Sequence, residues 1–594
     1  MSSKVIMDVK SVRSLPRISR FNRTAGSRAI ARVALAGALL TLSALGLDAL
    51  EAAPPGGKGW NGEPIVNTRF GAVRGFEDLD DTWVWKAIPY ARPPVGVLRW
   101  RAPRDPLLWT EIRSERSFNA GCTQYALLSP KVIRGSEDCL YLNVWRPRDG
   151  ETGLPVYVFI HGGGNTMGWA TQLSDYQGSR LAARSRMVFV SINYRLGPFG
   201  WFTHPALREG QSDVDASGNY GLLDMIKALG WIRDNIQAFG GDPHRVTLTG
   251  QSAGGMDVLA LLIAPKAKGL FQRAVVQSGV ARTSSVAEAD LMSRSVIEQL
   301  LVADGTAKTH AQADVATAAM TRLALGAYLR NKSDREILRT YGPSKNGIIA
   351  NPDVLNDGAV IPIEGFDSFA TGRYASKVPI ILGGNREELK SILASSKTIP
   401  WQGELFQAVV KYGSARWRAF GVDEVAHRLA THRDQPPVYT YRFDWGAPDA
   451  KGTSVLPGTW GKRLGAFHAL DIPFFLGNDT IFGALQLMLF TPANEPGRKA
   501  LSAAMMQYLA SFARTGNPNS RESILPTWHP WSNVPGTMKA LVFDAREKAL
   551  AISISTEELT DARVLRATNT DLVEPMRGNV LRYLDKMKNP WGLR

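Results

Sequence analysis

Short apolar, β-rich runs recur along the chain with helix-length segments between them, and this alternation restricts the fold more than any single motif does. The runs fall at 156–160, 187–192, 246–249, 274–277, 378–382, 438–443 and 540–543, with helical stretches such as 222–239 separating several of them. Strands reached through helical crossovers lie parallel, and a parallel sheet needs both faces covered. The expected class is therefore α/β: a large, mostly parallel twisted sheet flanked by helices. In such sheets functional sites form at the carboxyl ends of strands. Two segments at about 284–345 and 400–433 read as helical, polar-faced insertions that cap the sheet and wall a pocket. One domain covering 54–594 accounts for everything after the leader.

The leader is basic and poor in acids over its first 32 residues, apolar over 33–47 (VALAGALLTLSALGL), and followed by the small residues of DALEAAPP. Residues 1–53 are expected to be an export signal, with an uncleaved anchor as the alternative. No adjacent arginine pair stands in it, which favours a general secretory route. Export would carry the protein to the periplasm or the medium. The formal net charge of +16 is partly a leader effect, since residues 1–53 hold eight Lys/Arg against three Asp/Glu. The surplus that remains reads as a solvated surface, and no basic block interleaved with aromatics points to nucleic acid. Only two cysteines occur, Cys122 and Cys139, and in an exported chain such a pair is expected to be bonded. The loop that bridge would close corresponds to about 3 kcal/mol on the chain-entropy view. Neither two cysteines nor the eight histidines have metal-ligand spacing, so no metal and no cofactor are expected.

In the segment RVTLTGQSAGGMDVLALLIAP, a predicted strand meets a predicted helix at Gly250-Gln251-Ser252-Ala253-Gly254. The Gly-x-Ser-x-Gly pattern alone is weak, with about 0.2 to 0.3 chance matches in a chain this long. The strand-turn-helix setting makes it a nucleophile elbow. A nucleophilic serine needs a base, an orienting acid and donors for the developing oxyanion. The strand 156–160 empties into His161-Gly162-Gly163-Gly164, whose N–H groups, with that of Ala253, can form a three-donor hole. Downstream histidines are His310, His427, His432, His468 and His529. His468, in LGAFHALDIPFFLG, sits where the chain must pack on the core and is the expected base. The acid must come after a strand between Ser252 and His468, and VPIILGGNREELKS offers both Glu387 and Glu388. Spacing does not choose between them.

Taken together these stretches resemble the type-B carboxylesterases, the cholinesterase-like branch of the α/β-hydrolases, from about residue 63 onward. The likeness rests on TRFGAVRG, AIPYARPPVGVLRW, SEDCLYLNVWRP, VFIHGGG, VSINYRLGPFG, GNYGLLDMIKALGWIRDNIQAFGGDPHRVTLTGQSAGG, QSG and RTGNPN. The resemblance implies a triad of Ser252, Glu388 and His468 and an oxyanion hole of Gly163, Gly164 and Ala253. It also implies a Cys122–Cys139 disulfide and structural ion pairs of Arg99 with Glu137 and Arg195 with Asp242. Leu389 stands where the family usually has glycine. The first disulfide loop, CTQYALLSPKVIRGSEDC, lacks the tryptophan with which cholinesterases hold a quaternary ammonium, although Tyr125 could stack there. Gln251 replaces their glutamate, and choline esters are disfavoured on both counts. Asn165 and Trp169 depart from the usual residues and are expected to reshape the acyl side of the pocket. The Glu388-to-His468 interval of 80 positions is shorter than in many relatives, so a trimmed lid and a cleft open to bulky esters are expected. The expected activity is hydrolysis of a small-molecule carboxylic ester through an acyl-enzyme. The alternatives are a non-catalytic adhesion or interaction module on the same fold, and an amidase or thioesterase using the same groups.

Overall fold

The computed structural model describes residues 59–587, apart from 128, 173–175, 343–346, 395, 397, 398, 482 and 484. The proposed export signal lies outside the described residues.

Eleven strands form one sheet: β1 Phe76–Asp78, β2 Thr82–Pro89, β3 Tyr141–Pro147, β4 Leu154–Ile160, β5 Val188–Ile192, β6 Gly241–Gln251, β7 Arg273–Gln277, β8 Ile380–Asn385, β9 Val438–Phe443, β10 Ala540–Phe543 and β11 Ser553–Ser555. Their spatial order is β11-β10-β9-β8-β7-β6-β4-β5-β3-β2-β1. From β10 to β5 every neighbouring pair is parallel, and the pairs at both edges are antiparallel. The α/β expectation, with its mostly parallel sheet, is met. Each apolar run singled out in the sequence is a strand of the parallel block. The antiparallel strands β1, β2, β3 and β11 were not anticipated. β2 and β3 interrupt their apolar residues with Lys86 and with Asn143 and each ends in a proline, and β1 and β11 span three residues each, too short for a period to be visible.

Alternation along β4 explains why the run is apolar throughout. Val156, Val158 and Ile160 join the cluster on one face of the sheet, where Leu222, Leu229, Val258 and Leu262 of the covering helices pack. Tyr157 and Phe159 join the cluster on the other face, with Phe474, Leu501 and Met505. Each such side chain withdrawn from water contributes about 1.5 to 3 kcal/mol. The first face is covered by the helices Tyr220–Asn235 and Ala253–Ile263, the second by Glu495–Thr515.

Between β7 and β8 the chain forms the successive helices Val286–Ala303, His310–Ala319, Arg322–Asn331 and Asp334–Arg339, and later the short helix Ser368–Thr371. The first begins with a capping box in which Ser285 and Glu288 satisfy each other's backbone N–H groups. Between β8 and β9 the helix Glu404–Arg418 runs through a π-helical turn, Ala419–Asp423, into the helix Glu424–Ala430.

Arg99 and Glu137 form a bidentate pair at an interior position, as expected. The pairing of Arg195 with Asp242 is corrected. Arg195 donates to both carboxylate oxygens of Asp224 at 2.8 and 2.7 Å, and Asp242 pairs with Arg245. Asp224 faces the strand end from a helix packed beneath it. Asp242, at the start of β6, is half-buried beside the arginine three residues on. Cys122 and Cys139 are bonded, with their Cα atoms 5.0 Å apart.

Candidate active site

The elbow closes β6 and opens the helix Ala253–Ile263. Ser252 sits at φ 58° and ψ −121°, a backbone conformation that costs about 1 to 3 kcal/mol and survives only where the surroundings enforce it. The enforcement comes from the flanking glycines. A Cβ on Gly250 would stand 2.1 Å from the Gly254 oxygen, and one on Gly254 would stand 2.2 Å from the Ile160 oxygen at the end of β4. Only hydrogen fits at either place, so the turn is tight and the serine projects from it. The Ser252 N–H is anchored to the Gln277 oxygen at the end of β7, 2.8 Å away.

The glycine run after β4 turns beside the elbow. Gly163 adopts φ 114°, and a Cβ there would stand 2.1 Å from the Met167 oxygen. Among the described residues no acceptor takes the N–H of Gly163 or Gly164, and the Ala253 N–H lies in the first helical turn, where no intrahelical acceptor exists.

Asn165 turns away from solvent. Its amide donates to Asp257 Oδ1 at 3.0 Å and its oxygen accepts from the Tyr194 hydroxyl at 3.1 Å, while that hydroxyl also bonds the His161 oxygen. The residue expected to shape the acyl pocket is thus buried, tying the glycine run to the elbow helix. Asp257 is fully buried, its Oδ2 has no partner, and burial pushes its carboxyl up to about 8. His161 is also buried. Burial lowers it to about 4, its ring stacks on Tyr194, and its Nδ1 donates to the Gly162 oxygen, so it stays neutral inside the scaffold. Tyr125 packs against Leu338 and Ile349 and donates to the Leu338 oxygen, a core position away from solvent. Trp169 is half-buried in a surface groove with Phe118, Arg116 and Arg134, the last guanidinium lying over its ring.

The two candidate acids after β8 point in different directions. Glu388 is 1% exposed, and its Oε1 accepts from the Ser278 hydroxyl and the Asn385 N–H, each at 2.6 Å. Its Oε2 meets His468 Nδ1 in a short hydrogen bond. Glu387 instead pairs with the buried Lys390 at 2.8 Å and accepts from the Ala466 N–H. Burial raises the Glu387 carboxyl and lowers the Lys390 amine, each partly offset by the other's charge. Behind the pair of Glu388 and His468 lies Asp471, which accepts from the Tyr441 hydroxyl at 2.6 Å and the Gln277 amide at 3.2 Å. Burial pushes its carboxyl up to about 6, against the lowering effect of the tyrosine bond.

The other face of the imidazole is apolar: the Trp417 ring meets it edge-on, centroids 5.3 Å apart, and the indole N–H is held by the Ser278 oxygen. Beyond Trp417 opens a cavity of about 450 Å³ whose walls include Val280, Phe366, Phe369, Phe420 and Met587. The remaining ring nitrogen, Nε2, lies 3.2 Å from the side-chain amide nitrogen of Gln251, and no hydrogen bond joins it to the Ser252 hydroxyl. Sequence reasoning missed Ser278, Trp417, Asp471 and the Asn165–Asp257 bond. Only Ser278 carried a signal, the Gln-Ser-Gly at the end of β7.

A strained serine between a parallel strand and a helix, donor-rich glycines across the strand end and an imidazole oriented by a buried carboxylate define an α/β-hydrolase site of the acyl-transfer class. The sequence model of the Carboxylesterase family matches residues 62–413 and 402–560. The chain belongs to that family and is a carboxylic ester hydrolase. It is 33% identical over 491 residues to the para-nitrobenzyl esterase of Bacillus subtilis (strain 168), a match covering 78% of this chain and 92% of that protein. It is 31% identical over 548 residues to carboxylesterase 1D of Rattus norvegicus, covering 80% and 89%. Among solved structures it resembles a PNB esterase at a TM-score of 0.63 and 30% identity, covering 83% of this chain and 98% of that one.

Proposed function

We propose that Ser252 is the nucleophile, His468 the general base and acid, Glu388 the orienting carboxylate, and the N–H groups of Gly163, Gly164 and Ala253 the oxyanion hole. The observation that carries this is the hydrogen bond from His468 Nδ1 to a carboxylate buried after β8, beside a serine in the strained elbow of β6. His468 Nε2 takes the Ser252 proton as Oγ bonds to the ester carbonyl carbon, and the carbonyl oxygen becomes the anion held by the three donors. The same nitrogen returns the proton to the alcohol oxygen as the C–O bond breaks. A water molecule then repeats the two steps on the acyl-enzyme and frees the acid.

The Glu388 contact holds the proton on Nδ1 in the resting ring, which leaves Nε2 as acceptor. The cavity beyond Trp417, whose lining joins the apolar walls to the charged Arg282, Glu364, Asp367, Glu424 and Arg428, supports esters with a bulky arm, in keeping with the short interval between Glu388 and His468. The helical segments Val286–Ala303 and Glu404–Arg418 and their neighbours serve as the cap. Export to the periplasm or the medium is the proposed location. A disulfide persists in oxidising compartments, which supports it.

The test is Ser252→Ala assayed on aryl esters of graded acyl and alcohol size. Turnover should be abolished while the circular dichroism spectrum is kept, and substantial hydrolysis by the folded variant would overturn the assignment.

A further inference from the structure

Gln251 sits between the elbow and the general base, and its side chain is placed to compete with the nucleophile. Its Nε2 lies 3.2 Å from His468 Nε2, the nitrogen that must receive the Ser252 proton. Its Oε1 is turned the other way, 3.0 Å from where a Cβ on Gly162 would stand. The reverse orientation would set a carbonyl oxygen against Nε2 and demand a proton there. With Glu388 already requiring the proton on Nδ1, the ring would have to be an imidazolium. An amide N–H, by contrast, can donate only to an unprotonated Nε2, so the arrangement fits the neutral ring.

We infer that Gln251 is a positioning residue that caps the His468 Nε2 lone pair in the resting enzyme and yields it to the Ser252 hydroxyl only when an ester occupies the site. This rests on the assignment of His468 as the base. The groups facing the imidazole are few: Glu388 on Nδ1, Asp471 three residues on and buried behind, and the uncharged edge of Trp417. Glu387 is spent on Lys390. No cation stands against the ring among the described residues, so the charge state at position 251 bears directly on whether the ring takes a second proton. Relatives with glutamate at this position would present an acceptor in place of the donor, which can pair with the imidazolium but cannot cap the neutral ring.

Gly162 leaves the amide its place: a Cβ there would stand 2.8 Å from the Gln251 backbone oxygen, 2.9 Å from Ser252 Cβ and 3.0 Å from the Gln251 side-chain oxygen. Release of Nε2 requires the side-chain amide to turn from the ring as the imidazole turns to the serine. No bond is made or broken in the swing. One hydrogen bond to Nε2 is exchanged for another, and the cost of leaving the amide unpaired is met by the bound ester or by water.

The test uses the full enzyme carrying Gln251→Met, which keeps length and removes the donor, and Gln251→Glu, with Ser252→Ala as reference. The readouts are the pH profile of kcat/KM on an aryl ester and the second-order rate of labelling by a fluorophosphonate. Loss of a hydrogen bond made only to the neutral ring should move the acid limb of the profile upward by about half to one pH unit in Gln251→Met. Labelling at alkaline pH should then be faster than in the unsubstituted enzyme by about threefold or more, the competitor being gone. Gln251→Glu should move the acid limb upward by about one unit or more, because its carboxylate pairs with the imidazolium. A merely structural role would lower the plateau and leave the limb in place. Acid limbs unchanged in both variants would overturn the inference, as would slower labelling of Gln251→Met across the whole pH range. Either result leaves the triad assignment standing so long as Ser252→Ala is inactive.

Discussion

Replacing Asp257 with asparagine should stabilise the protein above neutral pH, and the size of the effect follows from where that carboxyl lies. Asp257 is fully buried on the helix that follows Ser252. One oxygen accepts from Asn165 at 3.0 Å, and the other has no partner. Burial raises its folded-state value to about 8, with the Asn165 bond opposing and the charge of Asp353 adding. In the unfolded chain it titrates near 3.8. Between these values the folded protein holds a proton that the unfolded chain has given up. The stability contributed by this group is therefore complete below about pH 4 and is lost as pH rises through about 8. The slope over that window is about 1.4 kcal/mol per pH unit, and with relaxation around the site the total is on the order of 3 to 5 kcal/mol. Asparagine keeps the acceptor for Asn165 and has nothing to ionise. The melting temperature of Asp257→Asn should match the unsubstituted protein near pH 4 and exceed it near pH 8. At about 2 cal/mol/K per residue over about 500 residues, the gap at the alkaline end is about 3 to 5 °C. Scanning calorimetry across pH measures it. Melting curves that stay parallel from pH 4 to pH 8, or a gap that widens towards acid, would refute the reasoning.

Gly163→Ala forces a Cβ to within 2.1 Å of the Met167 oxygen, so the glycine run must shift and its donors with it. A fall in kcat of about 100- to 1000-fold with a smaller change in KM is expected in steady-state assays. The two neighbouring glutamates should separate cleanly. Glu388→Gln removes the charge that orients His468 and should cost about a thousandfold or more in kcat. Glu387→Gln should instead lower thermal stability by about 3 kcal/mol, by leaving Lys390 buried and unpaired, with kcat of the folded enzyme little changed.

The residues that could be read from sequence are those whose role is written in local pattern. Seven apolar runs became the parallel block because a strand buried on both faces must be apolar throughout, as β4 is. Gly250 and Gly254 marked the elbow because backbone approaches them too closely for any side chain. Contacts between distant segments left no such trace. Arg195 has a carboxylate at Asp224 and another at Asp242 within reach of any sequence argument, and only the packing of the helix Tyr220–Asn235 against the strand end selects Asp224. Asn165 read as a polar wall of a pocket because the sequence does not reveal that its partner, Asp257, lies inside the core. Trp417 meets His468 from the last turn of the helix Glu404–Arg418, which leads into a π-helical turn where Gly421 packs against the Gly279 oxygen, a fit between distant segments.

The most direct measurement is peptide mass mapping after reaction with a fluorophosphonate at neutral pH, on the unsubstituted enzyme and on His468→Ala. The expected result is a single phosphonyl adduct on the peptide containing Ser252, formed rapidly in the first protein and at least about a thousandfold more slowly in the second. An adduct on another residue, or labelling of Ser252 that proceeds equally fast without the imidazole, would contradict the account.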